Sequence, residues 1–110
     1  MKKVSFLRHA VRHLGLAAVR VAAGRAEALV RSDPSLARGF ETVTARAVTD
    51  VERLLSLCRP FLAATGRVYL PRGEEPAPLM EGWQQVLVKA YEGPVGVGRR
   101  QLLVYVPSET

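Results

Sequence analysis

The sequence has one cysteine, two histidines and 6% aromatic residues among its 110 residues. A lone Cys58 excludes a disulfide within the chain and any cysteine-built zinc site. It lies in an apolar helical pattern, where a buried thiol is far commoner than a nucleophile. No apolar run approaches the roughly 18 residues of a membrane span. The opening MKKVSFLRHAVRHLGL has the basic start of a signal peptide, but Arg8, His9, Arg12 and His13 interrupt its apolar centre, so a cytoplasmic protein is expected. Acid is also scarce: 16 Lys and Arg stand against 10 Asp and Glu, a net charge of +6. That balance suits a polyanion such as nucleic acid, although free use of arginine would produce it as well. At this length one small domain with a single core is expected.

Val4, Leu7, Val11 and Leu14 repeat at helical spacing, with Gly15 at the position just past a helix end. His9 and His13 lie one turn apart, but no third ligand accompanies them, so a solvated basic face is expected rather than a metal site. AVRVAA (18–23) reads as a strand, GRAEALV (24–30) as a short helix and SDPSLARG (32–39) as a polar loop. FETVTA (40–45) is a second strand. Thr49 and Glu52 form a capping box, after which Val51, Leu54, Leu55, Cys58 and Leu62 make the inner face of a helix that Pro60 ends or kinks. Gly66 turns the chain into a strand RVYL (67–70). A Pro-rich stretch follows, and QQVLVKAY and RQLLVYV close the chain as a hairpin. Alternating helices and strands predict an α/β chain: a mostly parallel sheet with an antiparallel C-terminal edge.

Arg46 stands out. A guanidinium beside the apolar residues Val43, Ala45 and Val48 needs a partner or a ligand. Asp50, one turn away, is the structural candidate.

GRAEAL, FETVTARAV and LLSLCRPFLAATGRVYLPRG, in this order and spacing, resemble the ribosomal RNA small subunit methyltransferase G family, also called glucose-inhibited division protein B. KKVSFLRHAVRHLGLAAVRV looks like that family's helix after strand two, leading into strand three, and RRQLLVYV like its closing strand. The resemblance runs from about residue 2 to 75 and resumes near 99. It implies a truncated Rossmann-like class I methyltransferase fold, with residues 1–110 as one partial domain. It also implies an S-adenosyl-L-methionine-dependent methyltransferase acting on a guanine N7 of small-subunit ribosomal RNA. By similarity Arg25, Ala26 and Glu27 match the loop that contacts the adenosine end of the cofactor. Arg46 matches an arginine beside the methionine end and the substrate, and Lys2 and Arg100 match basic residues facing RNA. Without the resemblance, Glu27 reads as a surface helix residue, and Arg25, Lys2 and Arg100 as solvated charges. Guanine N7 carries a lone pair and no proton, so methyl transfer to it needs positioning rather than a general base. No catalytic side chain and no metal ligand is therefore assigned.

The chain departs from the family in one large respect. The Gly-rich loop after strand one and the acidic residue ending strand two have no counterpart here. Those elements supply amides near the methionine end and acceptors for the ribose hydroxyls. In the Rossmann-like methyltransferase order, strands one and two separate strands three and four. Their absence leaves two expectations for the sheet: strand three pairs directly with strand four, or two chains complete each other as a homodimer. The alternative function is a non-catalytic basic module that binds RNA or the ribosome, with Arg8, Arg12, Arg20, Arg99 and Arg100 as phosphate contacts, and a gene remnant with no function alone is the third reading.

Overall fold

The computed structural model describes residues 2–46, 50–73, 77–96 and 98–108. Its helices are α1 (Lys2–His13), α2 (Ala26–Ser32) and α3 (Val51–Cys58), and its strands are β1 (Phe40–Thr44), β2 (Leu62–Arg72), β3 (Trp83–Glu92) and β4 (Arg99–Pro107). The strands form one sheet in the order β1-β2-β4-β3. β1 and β2 are parallel and joined through α3, while β4 runs antiparallel to both β2 and β3. This is the expected α/β organisation, a mixed sheet with a parallel crossover and an antiparallel C-terminal edge.

The core lies between α3 and one face of the sheet. Val51, Leu54, Leu55 and Cys58 are the buried positions of α3, and they meet Leu62, Val68, Leu70, Leu103 and Tyr105. Strand alternation explains the sheet side of this list, because Val68 is in register with Tyr105 and Leu70 with Leu103, so all four point the same way. Leu62 is buried as expected, but it opens β2 rather than continuing α3. The helix ends at Cys58, and Pro60 sits in a single 3-10 turn, Arg59–Phe61. The Asp50 carboxylate caps α3 by accepting the Arg53 amide at 2.8 Å. Thr49, the expected capping residue, lies outside the described residues.

Residues 77–82 cover the end of the core without forming a helix, with Ala77 and Met80 packed on it. The Tyr105 hydroxyl donates to the Pro78 carbonyl at 2.6 Å and accepts from Gln85 Nε2 at 3.1 Å. Tyr105→Phe is expected to cost about 1 kcal/mol, the net worth of the lost hydrogen bonds, because Gln85 Nε2 still donates to the Ala77 and Pro78 carbonyls at 3.2 and 3.3 Å. Chemical denaturation with a reversible two-state fit would measure it; an unchanged midpoint would show that water replaces the hydroxyl at no cost.

Two expectations are corrected. Residues 18–23 form no strand: 17 and 18 lie in a turn and 19–23 have no regular structure. A strand exists by pairing, and no strand among the described residues pairs with this segment to supply the ladder. Direct pairing with β1 is therefore not formed, and among the described residues the outer edge of β1 has no neighbouring strand. Arg20 instead forms an ion pair with Asp33. Hydrogen bonds from Ser35 and then from Arg20 hold the Asp33 carboxyl below its ordinary 3.8. Gly66 is the second correction. It makes no turn but lies inside β2, at the close approach of β1.

At the N-terminus α1 ends where Gly15 adopts φ +67 in the following turn, as expected of a residue past a helix end. The predicted stripe is only half covered, with Val4 and Val11 half-buried but Leu7 48% and Leu14 66% exposed. The His9 and His13 rings stack with centroids 5.9 Å apart, and both residues are exposed.

Candidate functional site

Strand direction decides which side chains meet. β1 and β2 both finish at one end of the sheet, β4 starts there and β3 finishes there. That end gathers Arg46 just beyond β1, Arg72 at the last position of β2, and Arg99 and Arg100 opening β4. The register sets Arg72 opposite Gln101, Tyr91 opposite Arg100 and Glu92 opposite Arg99. Strand spacing of about 4.8 Å places β1 and β4 roughly 10 Å apart across β2. A shallow depression of about 320 Å³ between Gly73, Ala90, Arg99, Arg100 and Gln101 opens here.

Arg46 is exposed, whereas its neighbour Ala45 packs against the core. The alternation of β1 thus turns Ala45 inward and delivers Arg46 to solvent. Among the described residues Arg46 makes no ion pair with Asp50, whose carboxylate instead takes the Arg53 amide. The Thr44 hydroxyl donates to the Tyr69 carbonyl at 2.8 Å, which fastens the end of β1 to β2 immediately before Arg46. Neither the Asp50 carboxylate nor a strand-end carbonyl, the structural partners weighed for it, holds the Arg46 guanidinium among the described residues.

The other expected site residues lie on the helices. Lys2 opens α1. Arg25 directly precedes α2 and is exposed, while Ala26 and Glu27 begin that helix and are half-buried. α2 packs on the 3-10 turn Pro34–Leu36, and its Val30 lines a groove at the opposite end of the sheet, with Leu62 and Ala63. The sheet thus unites Arg46 and Arg100, and adds Arg72 and Arg99. Arg99 reads beside Arg100 as a phosphate contact in the sequence, but that both meet Arg46 and Arg72 depends on the reversed direction of β4.

The donor set shows which part of a methyl-donor site this chain can build. The carboxyl ends of parallel strands are where open α/β sheets take their ligands, and Arg46 offers a cation there. Among the described residues no glycine-rich turn opens a helix at that end, so the amide cradle and the ribose acceptors are not supplied. Cys58 adds nothing to such a site: it is buried in the core, and burial raises its thiol above the ordinary 9.0.

A mixed α/β sheet with a parallel crossover and an antiparallel C-terminal edge is that of a truncated Rossmann-like chain, and four arginines lie where its parallel strands end. Comparison with known proteins gives the family. Residues 1–92 match the family described as rRNA small subunit methyltransferase G, and the chain belongs to that family. Among curated relatives, the ribosomal RNA small subunit methyltransferase G of Roseiflexus sp. (strain RS-1) is 41% identical over 74 residues, which is 67% of this chain and 31% of the relative. The protein of the same name from Xanthomonas oryzae pv. oryzae (strain MAFF 311018) is 36% identical over 107 residues, 94% of this chain and 48% of the relative. That from Marinobacter nauticus is 34% identical over 112 residues, 98% of this chain and 50% of the relative. The chain thus spans half or less of the length of these relatives. No helix among the described residues is long and apolar enough to cross a membrane.

Proposed function

We propose that this chain is the RNA-facing part of a small-subunit ribosomal RNA guanine-N7 methyltransferase, folded as one partial domain over residues 1–110. One observation carries the reading: the carboxyl ends of β1 and β2 converge with the start of β4, which places Arg46, Arg72, Arg99 and Arg100 on one rim. S-adenosyl-L-methionine would supply the methyl group as a sulfonium. Arg46 is the residue of this chain that would meet its methionine end or the substrate. The resemblance turns Arg25, Ala26 and Glu27 toward its adenosine, but α2 packs toward the opposite end of the sheet, so this arrangement does not bring them to the Arg46 rim. Lys2 and Arg100 add contacts to RNA phosphates. Because guanine N7 is already a nucleophile, these residues have only to bind and orient.

The cofactor cradle is incomplete in this chain while the basic rim is present, and that contrast favours a second reading, a non-catalytic RNA-binding module of the same ancestry. Calorimetry separates the two. In both readings RNA affinity falls steeply with salt, and Arg46→Ala weakens binding of a small-subunit RNA fragment several-fold, about 1 kcal/mol for removal of a charge-assisted hydrogen bond. Heat of S-adenosylmethionine binding at millimolar cofactor would favour the enzyme; no heat, with RNA binding intact, would favour the module. RNA affinity indifferent to salt and to Arg46 would sink both.

A further inference from the structure

A second basic surface lies at the other end of the sheet, where β2 begins and β4 finishes. Two grooves meet there and share Ala64 and Pro107. The larger, of about 600 Å³, is walled by Arg38 and Arg59, with Ala63 and Ser108 beside them. The smaller, of about 340 Å³, carries Thr65, Arg67 and Gln84. Among the described lining residues of both grooves there are three guanidiniums and no carboxylate. Beside them, Glu41 accepts the Thr65 hydroxyl at 2.8 Å.

One of the three guanidiniums is held in place, and the backbone of a second is fixed. The Arg59 guanidinium lies 5.2 Å from the centroid of the Trp83 ring, a cation–π contact that fixes its direction. Arg38 has φ +54, a left-handed backbone that a side-chain-bearing residue adopts only under strain, and its amide donates to the Pro60 carbonyl at 2.8 Å. Glycine would occupy that backbone without strain, and Arg38 is exposed, so core packing does not explain an arginine there.

We propose that this joined groove is a phosphate-ester site: Arg38, Arg59 and Arg67 take phosphate oxygens, and the Ala63, Ala64 and Pro107 floor takes the sugar or base. Guanidinium forks match phosphate geometry, and hydroxyl and amide donors at Ser108 and Gln84 complete a surface for a sugar-phosphate. Arg67, the groove arginine nearest the Arg46 rim, stands five positions before Arg72 on β2, about 17 Å away at roughly 3.3 Å per residue. The groove therefore engages either a flanking stretch of an RNA strand or a free nucleotide. In its RNA form the proposal deepens the reading above, yet it fails separately, because the two ends carry different arginines.

The test is fluorescence anisotropy of the whole chain with a labelled oligouridylate of about ten nucleotides, a length within the range such surfaces cover. The variant Arg38→Gly/Arg59→Gln/Arg67→Gln is expected to bind at least about tenfold more weakly. Its plot of log affinity against log salt should be shallower by about 2, at roughly 0.7 for each phosphate no longer neutralised. Arg38→Gly alone should bind more weakly while melting no lower than the parent, which separates an effect of charge from an effect on folding. Displacement of the probe from the parent chain by uridine monophosphate assigns the site to free nucleotides, and absence of displacement assigns it to an RNA strand. Unchanged affinity and salt slope in the triple variant, with weakening confined to Arg46→Ala/Arg100→Ala, would overturn the proposal, as would no binding of either probe.

Discussion

Replacing Gly66 with alanine is expected to destabilise the chain by about 3 kcal/mol, toward the upper end of the range for overpacking. A methyl group there would stand 2.6 Å from Leu62 Cδ1 and 2.7 Å from the Phe40 carbonyl oxygen. Neither atom can yield cheaply. Leu62 is buried in the core, and the Phe40 carbonyl belongs to the backbone of β1, whose register on β2 shifts between Phe40 and Thr42 at this point. The methyl would force β1 away from β2 at the parallel step of the sheet. Urea denaturation should show a lower midpoint at unchanged slope, and thermal denaturation a fall of roughly 10 °C for a chain of this size. A midpoint within about 0.5 kcal/mol of the parent would mean that the two strands are not packed as closely as described.

Gly66 also shows what a linear reading can and cannot reach. A glycine before RVYL looks like a turn, because glycines commonly precede strands in that role. Its actual function is to let two strands approach, and that depends on Phe40, 26 positions earlier. Local signals served well where the determinants are local. The periodicity of Val51, Leu54, Leu55 and Cys58 yields α3, Pro60 stops it, and the two closing apolar runs pair as a hairpin. Residues 18–23 have strand-like composition and no strand, since β propensity becomes structure only beside a neighbour. The same distinction holds at the site. That Arg46 follows a strand is written in FETVTARAV, and the family resemblance that gave it a role agrees with the match of residues 1–92. That Arg72, Arg99 and Arg100 share its rim follows from strand directions, and the posture of Arg38 from a backbone angle; neither is visible in spacing.

The open edge of β1 bears on how the chain works. Parallel strands are normally flanked on both sides, yet β1 has β2 on one side and no strand among the described residues on the other. Arg46 stands at the end of that same strand. A strand that paired with this edge would stand next to Arg46. The expected homodimer predicts a solution mass of two chains, and a monomer mass would show that two copies do not pair there.

Leu55→Ala should have an effect as large as that at Gly66, for a different reason. Leu55 is 1% exposed at the centre of α3, and the helix reaches the sheet through four buried residues alone. Removing three buried carbons costs the transfer energy and leaves a cavity, typically 2–5 kcal/mol and here about 3. A domain of this size has about 5–15 kcal/mol in total, so the loss is a large fraction. Cys58, one turn further along the same face, reports it without a label. In the parent chain the thiol is buried and its ionisation suppressed, so it should react slowly with a disulfide reagent at neutral pH. Its raised value adds stability that is present below the unfolded value near 9.0 and is lost as pH rises through the folded value, so the parent itself should weaken in alkali. In Leu55→Ala the reaction should accelerate in proportion to the more frequent opening of α3, about a hundredfold for 3 kcal/mol. Faster labelling with an unchanged melting temperature would show that α3 detaches by itself; unchanged labelling and melting would show that Leu55 is not a core residue.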